Sequence, residues 1–146
     1  MHTLYTLGYT GLKPEELLKA VEHYDATLVD VRISPYSRHP QWSGLNLSRQ
    51  IGQQYIHIRA LGNLNYKQPE LGIKLVDPDE GCFRLVQLLK QRSVILLCAC
   101  PDHHTCHRST AAAEMEARYD VEVVHLSADD IRAIGKPPVE KQLTLF

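Results

Sequence analysis

No apolar run in this 146-residue sequence approaches the roughly 20 residues that cross a bilayer. The opening Met1-His2-Thr3-Leu4-Tyr5 also lacks the basic and apolar regions of a secretory signal. A cytoplasmic protein that does not engage membranes is the expectation. Nor is there an excess of one charge: sixteen Lys and Arg face seventeen Asp and Glu, for a formal net charge of −1. That balance excludes a bulk polycation that holds DNA through a broad basic face, so any nucleic-acid contact has to be local. Internal repeats and low-complexity tracts are absent as well. What is present, 44% apolar and 23% charged residues, is the composition of one ordinary globular core. In a cytosolic chain, four cysteines read as thiols, metal ligands or catalytic groups rather than as two disulfides. Three of them, Cys98, Cys100 and Cys106, crowd into one short stretch with His103, His104 and His107.

Strand-like and helix-like segments alternate. Residues 4–7 form a short apolar run closed by Gly8. Pro14-Glu15-Glu16 then opens a helical pattern with a proline at its first position and acids in its first turn. Residues 27–32 are β-branched and apolar until Ser34-Pro35 breaks them, as in a buried parallel strand. A short helix over 45–53 and a strand over 55–58 follow. Residues 59–76 show no periodicity and read as a long loop of the kind that covers a site. Asp77-Pro78-Asp79-Glu80 caps a helix to about residue 91, with Phe83, Val86 and Leu89 in register. Residues 93–98 are the clearest strand, continuous and apolar. A helix over 108–118, a strand over 121–126 and a last short helix capped by Ser127 and ending at Gly135 complete the series. The expected fold is a three-layer α/β domain over residues 1–135. It has a mostly parallel sheet of about five strands, helices on both faces and right-handed crossovers. Lys136-Pro137-Pro138 sets off a tail, residues 139–146.

In an open parallel sheet, ligands bind beyond the carboxyl ends of the strands. Two informative segments fall there. Residues 30–39 offer Arg32, Ser34, Ser37, Arg38 and His39, and residues 98–109 run from the central strand to a helix start. Arg32, Arg38 and Arg108 are expected to face one crevice beside helix N–H groups, which suits phosphate or another oxyanion, with Ser37 as a further contact. Cys106, before a helix and beside His107 and Arg108, has the better environment for a reactive thiolate, and Cys98 is second. The chemistry is attack by sulfur on a bound electrophile, with His107 as acid or base. Plainer alternatives stand beside each reading. Asp30–Arg32 reads equally as a structural ion pair, and Cys98 as a small core residue. Cys82 reads as core, Trp42 as either a lid or packing filler, and His103-His104 as an exposed turn. The Cys98-x-Cys100 spacing lacks the usual gap of a zinc knuckle, and no second pair matches it, so no metal and no cofactor are assigned.

Asp30-Val31-Arg32, Ser34-Pro35-Tyr36-Ser37-Arg38, Leu61-Gly62, and Leu97-Cys98 followed by Cys106-His107-Arg108 together resemble a prokaryotic family known as domain of unknown function 488, over about residues 3–126. Two positions depart from the pattern that the resemblance implies: Tyr9 stands where histidine is expected, and Cys100 where an acid is common. If that acid is catalytic in relatives, the chemistry here is altered. The order Val29-Asp30-Val31-Arg32, Cys98 and Arg108-Ser109 is also similar to the layout of rhodaneses. The 98–108 loop is longer than the rhodanese cradle and lacks its glycine, so sulfur transfer is an analogy of fold.

Gln142-Leu143-Thr144-Leu145-Phe146 resembles the bacterial sliding-clamp-binding pentapeptide. Leu143, Leu145 and Phe146 form an apolar cluster beyond a Pro-Pro spacer, where exposure is costly unless a partner covers it; packing on its own domain is the alternative. Clamp docking would let a net-neutral chain work on DNA through a tether. Three functions follow. The first is binding of a phosphate-bearing ligand, nucleic acid or nucleotide, in clamp-associated DNA metabolism or repair. The second is a thiol enzyme of sulfurtransferase type acting on a small anion. The third is a non-catalytic recognition or metal-binding module.

Overall fold

The computed structural model describes residues 1–136; the candidate docking peptide, Gln142 to Phe146, lies outside the described residues. Local signals begin and end the elements. Helix α1 (Pro14–Tyr24) follows strand β1 (Leu4–Gly8). Pro14 sits in its first turn, the Lys13 N–H donates to the Glu16 carboxylate at 2.8 Å, and Asp25 closes it at φ 47°. Strand β2 (Ala26–Asp30) stops two residues short of the expected Arg32, because the Arg32 N–H turns to the Asp30 carboxylate at 3.1 Å instead of continuing the ladder. Helix α2 (Gly44–Ile51) and strand β3 (Tyr55–His57) come next. The 59–76 loop carries two short 3-10 turns.

Helix α3 (Pro78–Leu89) is capped by Asp77, whose carboxylate accepts from the Glu80 N–H at 3.2 Å. Its buried stripe is Cys82, Leu85, Val86 and Leu89. Phe83, expected in that register, is 61% exposed. One residue beyond Cys82 it is rotated about 100° away from the stripe, so helical spacing places it outward. Strand β4 (Ser93–Cys98) and helix α4 (His107–Arg118) follow. Strand β5 (Val123–His125) is shorter than the 121–126 expected, and helix α5 (Ala128–Arg132) is held by a Ser127–Asp130 capping box.

All pairings within the sheet are parallel, in the order β3-β2-β4-β1-β5, so the expected three-layer α/β domain is what the chain forms. Along β4, successive residues point to opposite faces. Val94, Leu96 and Cys98 join a core with Leu85, Leu89, Ala111 and Met115 from α3 and α4. Ile95 and Leu97 join the other core, with Leu17 and Val21 of α1 and Leu47 of α2. Continuous burial on both faces explains why β4 is apolar throughout. Among the described residues, no helix is long and apolar enough to cross a membrane.

The connections out of the two central strands run in opposite directions. The chain leaves β1 over β4 to reach β2, and leaves β4 over β1 to reach β5. The carboxyl ends of β1 and β4 therefore splay their loops apart, and a crevice opens between them.

Candidate functional site

A cavity of about 640 Å³ occupies that crevice. Five stretches of chain build it: Tyr9 beyond β1; Arg32 to Ser34 and Tyr36 beyond β2; Asn63, Asn65, Tyr66 and Pro69 from the 59–76 loop; Cys98 to Cys100 at the end of β4; and Thr105 to His107 entering α4. The walls are largely apolar, with flat tyrosine rings. Asn63 Oδ1 accepts from the Asn65 and Lys74 N–H groups, and the Asn65 amide donates to the Gly72 carbonyl. Those bonds leave a donor on Asn63 and an acceptor on Asn65. Tyr9 is backed by Trp42, whose ring stacks on it at 4.6 Å, so Trp42 is buried packing beneath the cavity wall.

Arg32 lies against this cavity with its charge already balanced. Nε and Nη2 form a fork on the two oxygens of Asp30 at 2.9 and 2.6 Å, and Nη1 donates to the Tyr9 hydroxyl at 3.2 Å. Burial alone would pull its pKa down, but the Asp30 hydrogen bond and charge hold it above the ordinary arginine value. Tyr55 completes the cluster by donating its O–H to Asp30 at 2.6 Å, and its own pKa is driven up, first by burial and then by that carboxylate.

Arg108 is different. It is fully buried and pairs with no carboxylate among the described residues. Nε donates to the Thr6 hydroxyl at 3.3 Å; Nη1 donates to the Cys98 sulfur at 3.3 Å and to the Cys100 carbonyl at 2.5 Å. Burial lowers its pKa below the usual value. Gly8 makes the arrangement possible: a Cβ there would sit 1.7 Å from the Cys100 carbonyl oxygen and 3.1 Å from Arg108 Nη1.

Cys98 and Cys106 are paired sulfur to sulfur, where the sequence read all four cysteines as unpaired, and the sulfurs of Cys98, Cys100 and Cys106 all lie within 4.8 Å of one another. Cys100 is exposed and Cys82 is buried in the α3 core. Cys106 is the N-cap residue of α4. His107 donates its Nε2–H to the Val31 carbonyl at 2.7 Å, which leaves the Nδ1 lone pair facing the Cys106 sulfur at 3.9 Å. Burial lowers the His107 pKa, with Arg108 lowering it further, against the raising effects of that carbonyl and of Asp30, which favours the neutral imidazole. The arrangement can therefore accept a proton beside sulfur.

Of the residues singled out in the sequence, Arg32, Cys98, Cys106 and His107 line one cavity. Arg108 lies behind it in the core, and Arg38 is exposed and outside the lining. Ser37 spends its hydroxyl on the His39 N–H at 3.1 Å. The expectation of three arginines facing one crevice is thus corrected. A side chain starting one residue into α4 on its inward face points into the sheet, and Arg38 sits on a turn that carries it away. His104 is exposed as expected, but His103 stacks on His125 at 4.0 Å and hydrogen-bonds to Ser109. Sequence reasoning missed Tyr9, Tyr66 and the two asparagines as cavity walls. The aperiodic loop signalled a cover without showing which residues turn inward.

Residues 13–115 match the family model described as Domain of unknown function DUF488. The chain belongs to that family. The matched span of this DUF488 protein includes every cavity-lining stretch except Tyr9. No curated protein and no solved structure matches the chain.

Proposed function

We propose that this DUF488 protein binds a small planar, phosphate-bearing ligand in the cavity, of the kind found in a nucleotide or at a nucleic-acid end. In this reading it presents the ligand to a reaction centre made of Cys98, Cys106 and His107. The carrying observation is that these sulfurs and a lone pair fixed on His107 Nδ1 stand on the floor of a cavity walled by Tyr9, Tyr36 and Tyr66. Flat aromatic walls suit a base, and the free donor on Asn63 and free acceptor on Asn65 suit its polar edge. Arg32 contributes those N–H groups that Asp30 and Tyr9 leave over. A small anion bound by charge alone, as in sulfur transfer, is less well served, because the Arg32 guanidinium is paired with Asp30 and Arg108 lies in the core behind the cavity lining.

Trp42, the single tryptophan, lies directly behind Tyr9 and reports on cavity occupation. Nucleoside monophosphates are expected to change its emission saturably, and Tyr66→Ala and Asn63→Ala to weaken the response. Emission that stays flat across the common nucleosides and nucleotides at millimolar concentration would refute the reading.

A second reading concerns location. The Gln142-Leu143-Thr144-Leu145-Phe146 peptide, following Pro137-Pro138, supports docking to the bacterial sliding clamp, which would place the domain in DNA metabolism or repair. Full-length chain is expected to bind purified clamp, and deletion of Leu145 and Phe146 to abolish binding. Equal binding by both forms would overturn it.

A further inference from the structure

We infer that Cys98, Cys100 and Cys106 together hold one soft divalent cation of the zinc type, with a remaining coordination position facing the cavity. The first ground is convergence: three sulfurs within 4.8 Å of one another, all on the cavity lining. A d10 dication prefers thiolate ligands, and three protein ligands with an open position form a reactive site rather than a closed structural one.

The second ground is backbone spacing. The Cα atoms of Cys98 and Cys106 stand 7.8 Å apart. A relaxed disulfide spans about 4.4–6.8 Å between Cα atoms. An ion between the sulfurs widens the span. With bonds of ~2.3 Å at tetrahedral angles, the sulfurs sit roughly 3.8 Å apart, against ~2.05 Å across a sulfur–sulfur bond. The backbone holds these two residues at a separation that suits a bridging ion.

The third ground is Arg108. A guanidinium with no solvent exposure and no carboxylate partner among the described residues needs negative charge from elsewhere, and its Nη1–H already points at the Cys98 sulfur. Three thiolates and a dication carry one net negative charge, which Arg108 neutralises. Starting from the reduced chain, loading is balanced as three thiols releasing three protons to solvent while three sulfur–metal bonds form, with no change of oxidation state. N–H donation to a ligating sulfur is the outer-shell contact such sites use.

Sequence spacing had argued against a metal because Cys98-x-Cys100 is not a knuckle. The fold supplies the third sulfur from the helix start instead of from a second pair. Capture of the ion stands on the sulfurs alone; only its role toward a ligand, as a Lewis acid at the cavity floor, rests on the cavity reading.

The test uses the full chain, reduced and stripped of metal, titrated with Co²⁺ as a spectroscopic stand-in and then with competing Zn²⁺. One equivalent of Co²⁺ is expected to give near-ultraviolet sulfur-to-cobalt absorption and visible bands of tetrahedral type, both erased by one equivalent of Zn²⁺. Cys100→Ser, at an exposed position that the fold does not need, is expected to weaken the sulfur-to-cobalt band, and Cys82→Ser to leave it unchanged. Elemental analysis of chain purified without chelator is expected to find one zinc-type ion. No sulfur-to-cobalt absorption, or a band indifferent to Cys100→Ser, overturns the inference. Nucleotide-dependent Trp42 emission in the metal-free chain would then show that the cavity reading survives without it, while a cobalt band with no nucleotide response would show the reverse.

Discussion

Arg32 and Arg108 stand at the same end of the same sheet, both buried, and they settle their charge in opposite ways. Arg32 finds a carboxylate two residues back, at the end of β2, and forms a fork with it. Arg108 reaches across the molecule to a hydroxyl, a carbonyl and a sulfur, none of which carries a formal charge unless the sulfur ionises. The first arrangement is complete and serves to anchor the chain beyond β2. The second is electrostatically open, and its open side is the cysteine cluster. A buried ion pair marks structure; a buried unpaired cation beside sulfur marks the place where negative charge is to be expected.

The largest effect should come from breaking the complete pair. Asp30→Ala strands the buried Arg32 guanidinium and removes the Tyr55 partner, and is expected to cost about 3–5 kcal/mol in urea unfolding. A cost under about 1 kcal/mol would mean that the pair is better solvated than its burial implies. Gly8→Ala tests the packing under Arg108. The new methyl meets the Cys100 carbonyl at 1.7 Å, and a loss of about 1–3 kcal/mol is expected, together with weaker Co²⁺ binding as Cys100 is displaced. Unchanged stability and metal affinity would show that the 98–106 loop gives way freely.

Acid should reach the Arg108 side of the comparison through Thr6. The Thr6 hydroxyl accepts from Arg108 Nε and shares a 2.6 Å hydrogen bond with His125 Nδ1, so the imidazole and the guanidinium meet at one oxygen. Burial first, then the neighbouring His103 and Arg108 charges, hold the His125 pKa below its ordinary 6.5; His104 adds to this and Glu116 opposes it. An imidazole held low binds fewer protons folded than unfolded. Its contribution is therefore fully present above pH 6.5 and is lost as pH falls through the folded value. The melting temperature should drop between neutral pH and pH 5, and His125→Gln should flatten part of that slope; an identical slope in the variant would discount the linkage.

The smallest effect belongs to the third arginine. Arg38 is exposed, and Arg38→Ala should stay within about 0.5 kcal/mol of the parent while leaving the nucleotide response of Trp42 unchanged. A clear loss of ligand binding would return Arg38 to the site.

Element type was written locally. Continuous apolar character in β4, Pro14 and Pro78 at helix starts, and the Asp77 and Ser127 caps act within a few residues of themselves, so the α/β alternation, and with it the sheet, could be read from the order of residues. The site was legible as far as the rule that ligands meet the carboxyl ends of parallel strands, which brought Arg32, Cys98, Cys106 and His107 to one place. Direction was not legible. Whether a side chain one residue into a helix faces solvent or sheet depends on how α4 docks over β1 and β4, and that docking is a property of two cores packed at once. It turned Arg108 inward, left Arg38 outside and set a third sulfur beside two others, because charge and thiol chemistry depend on distances through space that linear spacing does not encode.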